Sequence, residues 1–394
     1  MPVNYQQIQN QIRQMGAQAG PREELLRQQR EQAHALLDRF AGELEFLKQR
    51  VERAAAVNPH LRCAVPLEER LDLRVPVPQS SLQPVLLAAD GSQIQPNRHD
   101  PVEFGVINVG AIRITPGSPE TPREFTHSSL LYGDKLPRGA GLNREELIAL
   151  QRDLEERSTL AELAYGEAAD RAVITLTDGP LELLRAPADL PEYREVLDKY
   201  RKVLLDLAQR QVATAGYVDK PGSNLVVQLL ELADLPEEQL SGELKNHPLD
   251  GVSDADLFWD LLKSGERSAV FAIQSPSAAQ FSGPLQVHFF YLNVSAGGHS
   301  ALARVEIPAW VAQNPLIVAE LHAVLVQQAR QMGLHPYPYA LHRAHEIALV
   351  TFQEKDQILD SIIREYRRLG IPVGDKSQKQ YAKDQLGAKT RYNR

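Results

Sequence analysis

The stretch VLLAADGS (85–92) decides how this chain folds. Five uninterrupted apolar residues, Val85 to Ala89, are too few for a buried helix and suit a strand covered on both faces, as in parallel α/β sheets. Asp90 and Gly91 then read as the point where the strand breaks into a turn. AVITLTDGPLELL (172–184) repeats the design, an apolar, β-branched run closed by Asp178 and Gly179. Two strands are therefore expected to deliver an aspartate at their ends.

Working outward, EFGVINVGAIRIT (103–115) reads as another strand, and the polar, proline-punctuated stretch to Gly141 as a long connection. Residues 143–170 read as a helix, with Asn143 as N-cap and Glu145 and Glu146 in the first turn. Downstream lie a helix near 190–213, an apolar helix from Leu225, strand-like runs VHFFYLNV (287–294) and ALARVEIPAWV (301–311), a helix over 314–332, and a final helix. This alternation predicts an α/β fold. Ahead of it, Leu26, Ala33, Phe40 and Leu47 recur every seven residues, with Leu37, Leu44 and Val51 as a second row. That is a coiled-coil-like helix whose partner is a second copy, another protein or the body of its own chain. Residues 1–64 are thus expected as a helical extension and 65–394 as the α/β domain with a basic tail.

At 394 residues, 43% hydrophobic and 24% charged, the chain can bury a large core. It has no run of about 20 apolar residues and no apolar signal segment, so no membrane contact and a cytoplasmic location are expected. The single cysteine, Cys63, excludes an intramolecular disulfide and a thiolate metal cage. A formal net charge of −8 argues against a uniformly basic surface. The tail from Arg364, however, is rich in Lys and Arg with Tyr366, Tyr381 and Tyr392 interleaved, which suits phosphate and base contacts as well as a solvated terminus.

A strand-end carboxylate is held by backbone on both sides, and a following glycine lets an ion come close. Asp90 and Asp178 both have this setting. A glutamate from the 143–170 helix would complete a hard oxygen site suited to Mg²⁺ or Mn²⁺. Glu156 is the choice: Leu160 and Leu163 follow it by four and seven residues, placing it on a core-directed face, whereas Glu155 aligns with Thr159 and Glu162. Asp-Gly after a strand is also among the commonest turn signals, so either pair alone is more often a turn than a ligand. Lys220 and Arg267, beside glycine or proline turns, are candidate phosphate contacts. GIPVGDKS (370–377) lacks phosphate-loop spacing, and His342, His345 and Glu346 lack the order of a zinc protease.

AADGS (88–92), LQRDLEERSTLAELA (150–164), LTDGPLELL (176–184), AGYVDKPGSNLVVQLL (215–230), LFWDLLKSGERSAVF (257–271), HFFYLNV (288–294), ARVEIPAWV (303–311) and YPYALHRAHEIALV (337–350) resemble, in order, the bacterial branch of the NurA nucleases, from roughly residue 84 to 350. The resemblance implies an RNase H-like mixed sheet flanked by helices and a Mn²⁺-dependent deoxyribonuclease. It further implies action as a 5′–3′ exonuclease or single-strand endonuclease that resects DNA ends in double-strand break repair. It implies a HerA-type hexameric ATPase as partner, and a homodimer. Asp90, Glu156 and Asp178 take the places of the family carboxylates, His345 that of its histidine and Tyr337 that of the nearby tyrosine. Glu155 and Glu162 stay open as alternatives to Glu156. Asp90, Glu156, Asp178 and His345 would hold two divalent ions, Mn²⁺ or Mg²⁺, with Asp90 shared. Tyr337 would meet a phosphate or a base. Other readings are a non-catalytic DNA-end-binding subunit of a translocase and an RNase H-like enzyme acting on RNA.

Overall fold

The computed structural model describes residues 4–79, 83–137, 142–183, 191–237, 240, 247–296 and 298–374. In chain order the elements begin with α1 (Tyr5–Phe40), α2 (Leu44–Val57), β1 (Cys63–Pro66), β2 (Val85–Ile94), β3 (Gly105–Ile114) and β4 (Arg123–Leu131). There follow α3 (Leu142–Tyr165), β5 (Val173–Asp178), α4 (Pro191–Gln209), β6 (Ala213–Asp219), α5 (Leu225–Asp234), α6 (Asp254–Leu261) and β7 (Phe271–Gln274). The series closes with β8 (Val287–Asn293), β9 (Leu302–Pro308), α7 (Ala309–Ala312), α8 (Pro315–Gln331), α9 (Tyr339–Ala348) and α10 (Phe352–Arg368). The predicted α/β alternation is present.

The chain divides into two compact units. One comprises Met1–Ser81, Gly179–Glu182 and Thr214–Pro338. Its strands run in the order β1-β7-β8-β9-β6, antiparallel throughout, with Cys63 opposite Gln274 and Val305 opposite both Phe290 and Tyr217. The heptad rows of the N-terminus fold onto this unit. Ala33, Leu36, Leu37 and Phe40 of α1 and Leu47 and Val51 of α2 are buried, and both helices pack on α5. Of the three partners open to the seam, its own chain covers this part. The rows do not form one helix, because the chain breaks between Phe40 and Leu44.

The other unit comprises Leu82–Asp178, Leu183–Ala213 and Tyr339–Arg394. Its strand order is β5-β2-β3-β4, with β2, β3 and β4 an antiparallel meander and β5 parallel to β2. That is the RNase H-like arrangement. Val85 to Ala89 are wholly buried, as a run apolar on both faces requires, and burying each Val or Leu contributes about 1.5–3 kcal/mol. The stretch before Gly141, expected as connection alone, contains β4. Its side chains are mostly exposed, so the strand lacks the buried alternation by which strands are recognised. Helices α3 and α9 pack on β2 and β3, and α4 packs on α3. No helix among the described residues is long and apolar enough to cross a membrane.

Candidate metal centre

Asp90 does not end its strand. β2 continues through Gly91 to Ile94, and Gly91 pairs with Val109 rather than turning the chain. Only the second Asp-Gly behaves as expected: β5 ends at Asp178 and Gly179 has φ of +88°. The last registered pair of the parallel strands is Ala89 with Thr177, so Asp90 and Asp178 are each the next residue on neighbouring strands. Asp90 thus sits mid-strand, where its parallel partner stops.

Two glycines explain why helices reach this point. Gly110 faces Asp90 across the ladder, and a β-carbon on it would lie 2.4 Å from Ala348 N and 2.7 Å from Ala344 O. The bare backbone there admits α9, which brings His345 Nδ1 to 2.6 Å from Asp90 Oδ2. Asn108 Nδ2 donates to Ala348 O at 2.8 Å, and the Ser92 hydroxyl donates to the same carbonyl, fixing the end of α9. Gly91, one residue on, opens the opposite face: a β-carbon there would lie 2.6 Å from Glu156 Oε1 and 2.5 Å from Arg152 Cγ. On that face α3 meets the strand.

Glu156 is buried on α3. Burial first, then the charges of Asp153 and Asp90, push its carboxyl well above the usual range, against the pull of Arg152 and Arg157. Arg152 Nε lies 3.2 Å from Glu156 Oε1, and its Nη2 donates to Asp153 Oδ1 at 2.8 Å. Glu155 points elsewhere: burial raises its carboxyl, while Ser129 and His127 lower it. Glu162 is exposed.

The structure therefore brings Asp90 together with His345 and sets Asp178 one register level beyond the last parallel pair, while Glu156 lies against Gly91 on the other face of β2. It does not group the rest with them. Tyr337 belongs to the other unit, where its ring meets Tyr217 edge-on at 5.5 Å. There too Arg267 is buried and bound to Glu69 at 3.0 and 3.1 Å, and Lys220 is exposed with φ of +47°. In the tail, Tyr366 lies in α10, and Tyr381 and Tyr392 fall outside the described residues. Sequence reasoning missed Gly110, Arg152 and Asp153. A glycine inside an apolar strand pattern and an arginine one helical turn before a core-facing glutamate were the available signals.

Among the described residues, no three His, Cys, Asp or Glu side chains stand close enough to enclose a metal ion. The donor chemistry nonetheless fits one. Three of the four candidate ligands, Asp90, Asp178 and Glu156, offer hard carboxylate oxygens, and Glu156 is a buried acid. A hard divalent cation would supply the charge that its anionic form lacks.

A sequence profile of the NurA domain family matches residues 84–350. No curated protein matches the sequence. Among solved structures, the chain resembles the NurA nuclease from Sulfolobus solfataricus at 13% identity, covering 84% of this chain and 94% of that one, with a TM-score of 0.46. The catalytic domain of human Endonuclease V aligns at 15% identity over 83% of this chain and 99% of its own, TM-score 0.34. Endonuclease V from Bacillus subtilis aligns at 14% over 80% and 94%, TM-score 0.33. The profile match spans well over half of the sequence, including both aspartate strands, α3 and α9, and the chain belongs to the NurA domain family.

Proposed function

We propose that this chain is a divalent-metal-dependent deoxyribonuclease that resects DNA ends, working with a HerA-type hexameric ATPase and as a homodimer. Family membership supports the nuclease reading. The observation that carries the site is the meeting of Asp90 with His345 at 2.6 Å, one strand from Asp178, with buried Glu156 against the neighbouring Gly91. Asp90, Asp178, Glu156 and His345 would hold Mn²⁺ or Mg²⁺. When bound, the ions would supply Lewis acidity at the scissile phosphate and neutralise its charge.

The chain's own residues do the positioning. With its proton on Nδ1, His345 donates to Asp90, which orients the ring and leaves the Nε2 lone pair as its basic atom. Gly91 and Gly110 hold the two faces of β2 open to α3 and α9. Tyr337, Lys220 and the basic tail are proposed nucleic-acid contacts, with 5′–3′ exonuclease and single-strand endonuclease action as the modes. Arg267 is the least suited of these, because its guanidinium is committed to Glu69.

The test is a pair of variants, Asp90→Asn and Asp178→Asn, assayed on labelled linear duplex and single strands with Mn²⁺ and the translocase. Each should lose cleavage by at least about 10²-fold while keeping DNA binding by fluorescence anisotropy. Wild-type protein that cuts neither substrate under these conditions would sink the catalytic reading.

A further inference from the structure

We propose that Arg152 is a built-in counter-ion of the carboxylate cluster, a placeholder whose charge a divalent cation takes over when it binds. The inference rests on the metal reading above. Arg152 lies one turn before Glu156 on α3, and its stem crosses the bare backbone of Gly91, where a β-carbon would stand 2.5 Å from its Cγ and 2.9 Å from its Cδ. Glu156, Asp153 and Asp90 all act electrostatically on its guanidinium.

The pairing is poorly made for a permanent structural bridge. An arginine that only neutralised a buried carboxylate would engage it with two parallel N–H bonds. Arg152 instead gives one hydrogen bond to Asp153 at 2.8 Å and approaches Glu156 with Nε alone, at 3.2 Å. That Nε is buried without a hydrogen-bond partner. The side chain is about a fifth exposed, so it has a way out toward solvent. A cation that coordinates Glu156 would remove the reason for the guanidinium to stay and would repel it. The arginine thus keeps the ion-free cluster folded and raises the metal concentration needed to fill it. Once displaced, its charge is free to meet an anion such as a phosphate.

The experiment titrates the full chain with Mn²⁺ by isothermal calorimetry, alongside thermal melts with and without Mn²⁺, for wild type, Arg152→Gln, Arg152→Lys and Asp90→Asn. Arg152→Gln should bind Mn²⁺ at least about tenfold more tightly, because the competing charge is gone. Arg152→Lys, which keeps the charge, should stay near wild type. Without metal, Arg152→Gln should melt below wild type, and Mn²⁺ should raise its midpoint by more than it raises that of wild type. Adding Glu156→Gln should recover the metal-free midpoint, since no buried acid is then left without its cation. Unchanged or weaker Mn²⁺ binding by Arg152→Gln, with Asp90→Asn still abolishing binding, overturns the counter-ion and leaves the metal site standing. Arg152→Gln that fails to fold with or without Mn²⁺ also overturns it, marking Arg152 as structural. Wild type with no Mn²⁺ binding sensitive to Asp90→Asn overturns both readings.

Discussion

Substituting alanine at Gly110 should damage stability and catalysis together. The new β-carbon would lie 2.4 Å from Ala348 N, 2.7 Å from Ala344 O and 2.7 Å from Ile347 C, all backbone atoms of α9. Ordinary contact begins near 3.4 Å, so α9 must retreat by about 1 Å from β3. Overpacking of this kind costs about 1–3 kcal/mol. A further ~0.5–1.5 kcal/mol goes if the bond from Asn108 to Ala348 breaks. The same retreat stretches the contact between His345 and Asp90 from 2.6 Å to beyond hydrogen-bond range. A misplacement of that size reduces catalysis by about 10²-fold. Urea unfolding gives the first quantity and cleavage of labelled DNA with Mn²⁺ the second. Gly16→Ala is the control, because nothing lies within 4 Å of that exposed helical position, and it should gain up to about 1 kcal/mol. A Gly110→Ala protein within about 0.5 kcal/mol of wild type and fully active would refute the close approach of α9 and the role given to it.

Three further outcomes can be checked simply. Burial pushes the Cys63 thiol up to about 12, so iodoacetamide should leave it intact in native protein and label it in urea. His322 is held near 4 by burial and keeps Nε2 2.7 Å from Gly265 O. Its folded value lies below the unfolded 6.5, so the stability it contributes is present above pH 6.5 and is lost as pH falls toward 4, by at most ~3 kcal/mol. His322→Gln should flatten that acid slope. Asp254 runs the other way: burial raises it to about 6 from 3.8, despite bonds from Tyr291 and from the amides of Val226 and Val227. Its contribution is full below pH 3.8 and falls as pH rises through 6, a loss that Asp254→Asn should remove in melts at pH 5 and pH 8.

The strands at the centre of the fold were legible because their pattern has one cause. Val85 to Ala89 and Val173 to Thr177 are buried on both faces, and only a continuous apolar, β-branched run satisfies that environment. β1 and β7, four residues each, are too short to show a period, and β4 exposes most of its side chains at the edge of the meander. The heptad rows reported a buried face but not where the helix stops. Leu47 and Val51 keep their spacing across a break, because α1 and α2 both pack on α5.

At the site, the residue types were readable and their backbone setting was not. Asp-Gly is written identically where a chain turns and where a strand must stay bare for a neighbour. Asp178-Gly179 is the first case and Asp90-Gly91 the second, and the difference lies in β3, whose Gly110 stands opposite Asp90. A glycine on each face of the ladder admits one helix apiece, α3 with Glu156 and α9 with His345. Glu156 was chosen over Glu155 and Glu162 by face, and its burial follows from that face. Arg152 carries no ligand signature in the sequence, because it is a cation. A buried acid on an inward helical face must have its charge offset, suppressed or both. The residue one turn away on the same face was therefore as much a part of the site as the carboxylate it balances.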